Sequence, residues 1–246
     1  MNETQAIIER VRRVNETHQR LALAVEPGIL QIKPGQSLLA RLTATWDPYL
    51  REHWHPVGVD KNLLLVERPG SLRYTPGAVV SLIGPVGSPF RFRKTLRSVL
   101  LIAYDIDPSP LLMTLPALIA NTISVTLVLL GTAAAYGTEH LPPEVEVLRG
   151  ENGTLNWQNR VTTVGWADQV FVTVSPDDEA DHLLSLWKMF GDLRADIPPN
   201  YLFAVHNTVL PCGVGGCGAC TLKIHGGTAL VCVDGPAFDM TKMVLT

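Results

Sequence analysis

The chain has 246 residues, of which 46% are hydrophobic and 17% charged, enough apolar material for a buried core in one large domain or two to three small ones. Its formal net charge of −3 leaves no basic surplus, and no run of Lys and Arg interleaved with aromatic residues is present, so nucleic acid is excluded as an expected partner. The N-terminal stretch MNETQAIIERVRRVNE carries charges throughout and lacks the apolar core of a signal peptide, which predicts a cytoplasmic protein.

The first third of the chain consists of short β-type runs divided by Pro-Gly pairs. The runs are RLALAV (20–25), SLLARL (37–42), NLLLVE (62–67) and AVVSLI (78–83). Short strands at this spacing are typical of a small antiparallel barrel or sandwich.

After residue 97 apolar strands alternate with helices. The predicted strands are SVLLIAY (98–104), SVTLVLLG (124–131), EVEVLRG (144–150), QVFVTV (169–174) and NYLFAV (200–205), and the predicted helices are PSPLLMTLPALIAN (108–121) and residues 176–191. Strands that alternate with helices indicate a parallel sheet. The apolar run 111–130 is long enough for a membrane span, but Pro116, Asn121 and Ser124 interrupt it and no positive cluster flanks it. We therefore predict a buried helix and a buried strand there, and no membrane span.

All four cysteines fall in one glycine-rich segment near the C-terminus. Their spacing is Cys212-x4-Cys217-x2-Cys220-x11-Cys232. Four thiolates at C-x4-C-x2-C with a distant fourth cysteine are the ligands of a plant-type [2Fe–2S] cluster. The glycines between 213 and 218 permit positive φ and let backbone N–H groups approach cluster sulfurs.

Three other uses of the cysteines remain open. A structural zinc site also takes four cysteines, but it is usually built from paired C-x2–4-C units, and only one short pair is present here. Two disulfides suit a small secreted chain. Unliganded structural thiols would need no clustering.

The segments PCGVGGCGAC (211–220) and CVDGP (232–236) resemble the cluster-binding segment of the electron-transfer subunits of dihydroorotate dehydrogenase, which are ferredoxin-reductase-like flavoproteins. IKPGQSLLARL (32–42) and YTPGAVVSLIGPVGSPF (74–90) resemble barrel strands of the same family. The resemblance implies a FAD-binding-like antiparallel β-barrel over 1–96, a Rossmann-like NAD-binding α/β domain over 97–205 and a small iron–sulfur lobe over 206–246.

The FAD motif of that family, Arg-Pro-x-Ser followed by a Gly-x-Gly-Thr turn, is altered in this chain. Arg51 begins the corresponding stretch, but EHWHPVGV (52–59) follows it, and the second turn is reduced to ERPGSLRY (67–74). Fewer backbone N–H donors then face a pyrophosphate. FAD is therefore expected at low occupancy at most, with Arg51 as its contact. His53 and His55 share one face of a strand and could line a flavin or a metal, although a solvated or core-packed pair is favoured.

The nicotinamide motif departs further from the family. Its Gly-Gly-Gly-x-Gly turn is replaced by AYDIDPSP (103–110), and its Cys-Gly-Pro by Val174-Ser175-Pro176. Asp105 and Asp107 would repel a pyrophosphate. Simple divergence with weak binding retained is one interpretation, but loss of direct NAD(P)H oxidation is favoured because both dinucleotide motifs changed while the cysteines did not.

The predicted function is that of an electron-transfer subunit. The resemblance implies a partner oxidoreductase such as an FMN-containing dihydroorotate dehydrogenase catalytic subunit. The alternative is a non-catalytic redox sensor or scaffold held together by the cluster. No catalytic residue is predicted, since Gly-x-Ser-x-Gly, Walker and His-Glu-x-x-His motifs are missing from the sequence. Asp177, Asp178 and Glu179 are interpreted as charges at a helix start.

Overall fold

The computed structural model describes residues 2–42, 49–150 and 154–245, and they form two large sheets and a small hairpin. The first sheet follows the Pro-Gly-punctuated part of the chain. Its strands are β1 (Asn2–Arg13), β2 (His18–Ala24), β3 (Ser37–Arg41), β4 (Glu52–Trp54), β5 (Pro56–Asp60), β6 (Leu63–Pro69) and β7 (Val79–Val86).

This first sheet is antiparallel at every pairing, in the order β4-β3-β7-β1-β2-β6-β5. Its edge strands β4 and β5 are separated along the chain by His55 alone, so the sheet must curl to bring its edges together. Alternate residues such as Val80 and Leu82 point inward and pack around Trp54. The predicted N-terminal antiparallel β unit is confirmed.

The second sheet contains β8 (Ser98–Tyr104), β9 (Ser124–Leu130), β10 (Val145–Arg149), β11 (Gln169–Val174), β12 (Leu202–Val205) and β15 (Ala237–Asp239). Its order is β10-β9-β8-β11-β12-β15, parallel except for β15. The predicted parallel α/β sheet is confirmed. The direction of strand order reverses between β8 and β11, which in such sheets is where ligands bind.

Helices cover both faces of the second sheet. They are α1 (Ser109–Leu112), α2 (Leu115–Ala120), α3 (Arg160–Trp166) and α4 (Glu179–Leu193). Leu101 of β8 packs in one core with α1 and α2, and Leu100 packs in the other core with α3 and α4. Strands buried on both faces account for the continuous apolar runs in the sequence.

Two predicted helices differ in detail from the observed ones. The helix expected over 108–121 is split into α1 and α2, because Pro116 has no N–H with which to continue the helical ladder. The helix expected over 176–191 begins at Glu179 and ends at Leu193. None of the helices in the described ranges is both long and apolar enough to cross a membrane.

The cysteine segment lies between the two sheets. It contains the hairpin of β13 (Thr221–Ile224) and β14 (Gly227–Leu230) and then returns to the second sheet as β15. Cys220 and Cys232 pack with Leu39 and Val86 of the first sheet. The backbone N–H of Gly87 donates to the carbonyl of Cys232 at 3.1 Å. Both sheets therefore fix the position of the cysteines.

Candidate iron–sulfur site

The loop 211–220 has a backbone that few residues other than glycine can adopt. Gly213, Gly215 and Gly218 have φ values of 67°, 76° and 69°. A Cβ at Gly213 would stand 2.9 Å from Leu39 Cδ1, and one at Gly215 would stand 2.9 Å from Val233 Cγ2. Glycine is thus needed here both for its conformation and for its small size.

The four cysteines are free thiols that lie in two pairs. Cys220 Sγ lies 3.3 Å from Cys232 Sγ, and the thiol of Cys217 hydrogen-bonds to Cys212. In the described ranges no group of three or more His, Cys, Asp or Glu is arranged to hold a metal ion. The thiols therefore make contact in pairs, and Cys212 lies near enough to Cys232 for its charge to act on that thiol.

Backbone N–H groups of the loop point at the sulfurs. The N–H of Val214, followed by those of Cys217 and Gly216, donates to Cys212 and lowers the pKa of that thiol to about 6. The N–H of Gly215 donates to Cys232 Sγ at 3.2 Å.

Burial acts on Cys232 in the opposite direction. Desolvation, followed by the hydrogen bond and charge of Cys220, raises the pKa of Cys232 to about 12. Anionic sulfur at Cys220 and Cys232 would need a positive ligand to compensate for the lost water, and iron supplies such a charge. The donor set therefore fits an iron–sulfur cluster.

One side of the site faces solvent. Cys217 is exposed, whereas Cys220 and Cys232 are buried. Val214 and Val233 beside the loop are 57% and 45% exposed. Two exposed apolar side chains thus lie beside the loop that carries Cys217.

Arg51 lies directly before β4, and its guanidinium is already engaged by hydrogen bonds. Nη1 donates to the carbonyl and to Oγ of Ser81, each at 2.9 Å, and Nη2 donates to Glu3 Oε1 at 2.8 Å. These bonds hold the guanidinium against the sheet.

His53 and His55 lie between the first sheet and the start of the cysteine segment. Their rings are 4.3 Å apart; His53 Nε2 is 2.6 Å from Ser37 Oγ, and His55 Nε2 is 2.7 Å from Asn207 Oδ1. Desolvation lowers the pKa of both imidazoles. The pair is packed against neighbouring polar groups.

Asp105 fills the turn at the carboxyl ends of β8 and β9. It has a φ of 56°, and its Oδ1 accepts the N–H of Thr132 at 2.8 Å. A Cβ on Gly131 would overlap this carboxylate. A protein carboxylate therefore occupies a backbone donor at the edge of the sheet where dinucleotides bind in such folds.

The acidic cluster at 177–179 lies at the start of α4, as its interpretation as helix-start charges predicts. Asp178 stands at the N-cap of α4 but forms no side-chain cap hydrogen bond. Glu179 lies in the first turn, and its Oε1 is 2.9 Å from Nδ1 of the buried His206. Nothing in the sequence signalled this pair, because its members are 27 residues apart and come together only through the sheet.

Comparisons with known proteins agree with this geometry. Residues 207–244 match the family model for the iron-sulfur cluster binding domain of dihydroorotate dehydrogenase B. A solved structure of an NADH-dependent reduced ferredoxin-NADP oxidoreductase superposes with a TM-score of 0.72 at 17% identity, covering 97% of this chain and 89% of that one. A ferredoxin reductase in carbazole 1,9a-dioxygenase superposes with a TM-score of 0.60 at 17% identity, covering 82% of this chain and 68% of that one.

The chain therefore has the fold of ferredoxin reductases, and its C-terminal segment matches an iron–sulfur-binding domain. The chain is similar over its whole length to the electron transfer subunit of dihydroorotate dehydrogenase B (NAD(+)) from Shouchella clausii strain KSM-K16. The two are 24% identical over 262 aligned positions, covering 100% of each. The resemblance predicted from the cysteine segment is thereby confirmed.

Proposed function

We propose that this chain is an electron-transfer subunit whose four cysteines hold one [2Fe–2S] cluster. The observation that carries the proposal is the arrangement of the thiols in two pairs. A [2Fe–2S] cluster takes two protein ligands on each iron, so Cys212 and Cys217 would hold one iron and Cys220 and Cys232 the other. Zinc instead needs four ligands around a single point.

A cluster bound here supplies the transfer of one electron at a time. The residues of the loop hold negative charge on sulfur through the N–H groups of Val214 and Gly215. Hydrogen bonds to cluster sulfurs and solvent exposure are the means by which a protein sets the potential of such a centre.

The proposed electron donor is not NAD(P)H bound to this chain. Asp105 already takes the N–H of Thr132 and adds negative charge where a pyrophosphate would lie. For FAD we propose low occupancy at most, because Arg51 is held by Ser81 and Glu3.

The proposed acceptor is a partner flavin oxidoreductase, and the named function of the Shouchella clausii relative supports a dihydroorotate dehydrogenase catalytic subunit. The exposed Cys217, with Val214 beside it, offers that partner a close approach.

We also propose the three domains 1–96, 97–205 and 206–246. The strand ends support these boundaries, since β7 ends at Val86, β8 begins at Ser98 and β12 ends at Val205. A cytoplasmic location stays a prediction from sequence.

Anaerobic rapid mixing tests the function. The chain, reduced with one electron equivalent of dithionite, should pass that electron to the partner flavoprotein and recover its oxidised spectrum, whereas NADH added to the chain alone should leave the cluster oxidised. Saturable reduction by NADH would contradict the donor side. A reduced cluster that passes no electron to the bound partner would favour the redox sensor or scaffold instead.

A further inference from the structure

A cleft lined by arginines opens on the outer face of the first sheet, away from the cysteines in sequence. It has a volume of about 300 Å³, which is at the small end of ligand sites. Its charged and titratable lining consists of Arg10, Arg12, Arg13, Arg20, Asp60 and His140. Ala22 and Leu65 add apolar surface to it.

A β-bulge turns two of these arginines toward the cleft. Ile8 pairs with Leu23, but Arg10 pairs with Ala22, so Glu9 is an extra residue in β1. Because side chains alternate along a strand, a regular β1 would put Ile8 and Arg10 on the same, core-facing side. The bulge instead leaves Ile8 in the core and sets Arg10 beside Ala22 on the outer face.

The register after the bulge repeats this placement at Arg12. Arg12 pairs with Arg20 of β2, which brings two guanidinium-bearing residues directly opposite each other. Like charges that face each other across strands destabilise a sheet unless something lies between them to neutralise them. Glu67 supplies the opposite charge for Arg20, and an anion in the cleft would supply it for Arg12.

The arginines differ in how far their charge is already used. Arg10 and Arg12 side chains form no hydrogen bond or ion pair with any residue in the described ranges. Arg13 donates only to the carbonyls of Asn15 and Glu16. Among the described residues, no carboxylate therefore pairs with the guanidinium groups of Arg10 and Arg12, and Asp60 is the one acidic residue that lines the cleft.

Arg20 and His140 are held in the wall by one buried carboxylate. Glu67, whose side chain is fully buried, lies 2.5 Å from Arg20 Nη2 and 3.2 Å from His140 Nε2, and it also accepts a hydrogen bond from Tyr136. Because Glu67 neutralises Arg20, the unpaired charge of the cleft belongs to the residues of β1. Arg20 in turn is fixed in orientation before any ligand arrives.

We propose that this cleft binds a small phosphorylated molecule. Arginine forks bind phosphate oxygens in pairs of parallel hydrogen bonds, and Arg10 and Arg12 present two such forks from alternate positions of one strand. The apolar surface of Ala22 and Leu65 suits the organic part of the ligand. The concave shape and small volume favour a small molecule over an acidic protein or a membrane surface.

Calorimetry with pyrophosphate, the simplest probe with two phosphates, tests the proposal on the full chain purified anaerobically. We expect one saturable site per chain. The double variant Arg10→Gln/Arg12→Gln should bind at least about tenfold more weakly, since it removes the charge-assisted hydrogen bonds of two guanidinium groups. Asp60→Asn should bind more tightly, because it removes the acidic residue of the lining without removing a donor.

The matched control is Arg73→Gln, which removes an exposed arginine outside the cleft. It should leave pyrophosphate affinity unchanged. No saturable binding, or equal weakening by Arg73→Gln, would overturn the proposal. So would binding of an acidic peptide or of anionic phosphatidylserine vesicles that pyrophosphate does not displace.

Discussion

Individual carboxylates fix the edge where the two sheets approach each other. Asp107 accepts the N–H of Ser109 at 3.0 Å, and its Oδ2 lies 3.8 Å from His18 Nε2 of the first sheet. Desolvation would raise the pKa of Asp107, but the nearby imidazole of His18 and the hydrogen bonds from Ser109 outweigh it and lower the pKa to about 2. Asp107 therefore links α1 to β2 as an anion.

The depressed pKa of Asp107 predicts how stability depends on pH. A carboxyl whose folded pKa lies below its unfolded value stabilises the fold above pH 4 and loses that contribution as the pH falls through 2. The lowered pKa corresponds to about 2 kcal/mol, which partial exposure of the side chain reduces to about 1 kcal/mol. In urea unfolding at pH 5, Asp107→Asn should be less stable than the unaltered chain by this amount.

The difference in the free energy of unfolding between Asp107→Asn and the unaltered chain should shrink steadily between pH 4 and pH 2. The exposed Asp177→Asn serves as control and should match the unaltered chain at every pH. A deficit for Asp107→Asn that stays constant down to the acid limit of folding would refute the assignment.

At the scale of elements, the cysteine loop depends on glycines that are not interchangeable. Gly213 has a φ of 67° and no room for a Cβ beside Leu39. Gly216 has no positive φ, and a Cβ placed on it would lie 3.9 Å from Val214 Cγ2, an ordinary contact distance. Gly213→Ala should destabilise the protein by about 1–2 kcal/mol or more and reduce its iron content.

Gly216→Ala is the matched change in the same loop and should leave both quantities unaltered. Iron analysis and urea unfolding of the two variants, prepared side by side, measure the contrast. Equal iron content in both would show that the backbone of this loop does not shape the site.

Elements differed in how far the sequence could predict them. The buried strands at 98–104 and 169–174 were predicted because apolar runs bounded by turns are a local signal, and the cysteine spacing is local too. The bulge before Arg10 was not predicted, because it exists only in the pairing of β1 with β2. The bond from Thr132 to Asp105 likewise joins residues 27 apart, so no local pattern reveals it.

At the scale of the whole molecule, the cysteine segment joins the two sheets and keeps one side accessible. Leu39 and Val86 hold it from the first sheet, and β15 ties it to the second. A rigidly held site with an exposed apolar rim is suited to docking by a partner, because little order is lost on binding.

The apolar rim, formed by Val214 and Val233, predicts which surface would meet the proposed partner flavoprotein. The double variant Val214→Ser/Val233→Ser should keep the visible spectrum of the cluster but bind the partner about tenfold or more weakly, since two apolar contacts are lost. Val161→Ser, at a 65% exposed valine on α3, is the control and should bind normally. Calorimetric titration with the partner measures the affinity of each variant. Equal affinities for the double variant, Val161→Ser and the unaltered chain would place the interface elsewhere.

Iron and acid-labile sulfide, measured on one anaerobically purified sample, test whether the four cysteines hold a [2Fe–2S] cluster. We expect about two irons and about two sulfides per chain, and severe loss of both in Cys220→Ser, whose thiol lies in the buried pair. One equivalent of zinc without acid-labile sulfide would contradict it.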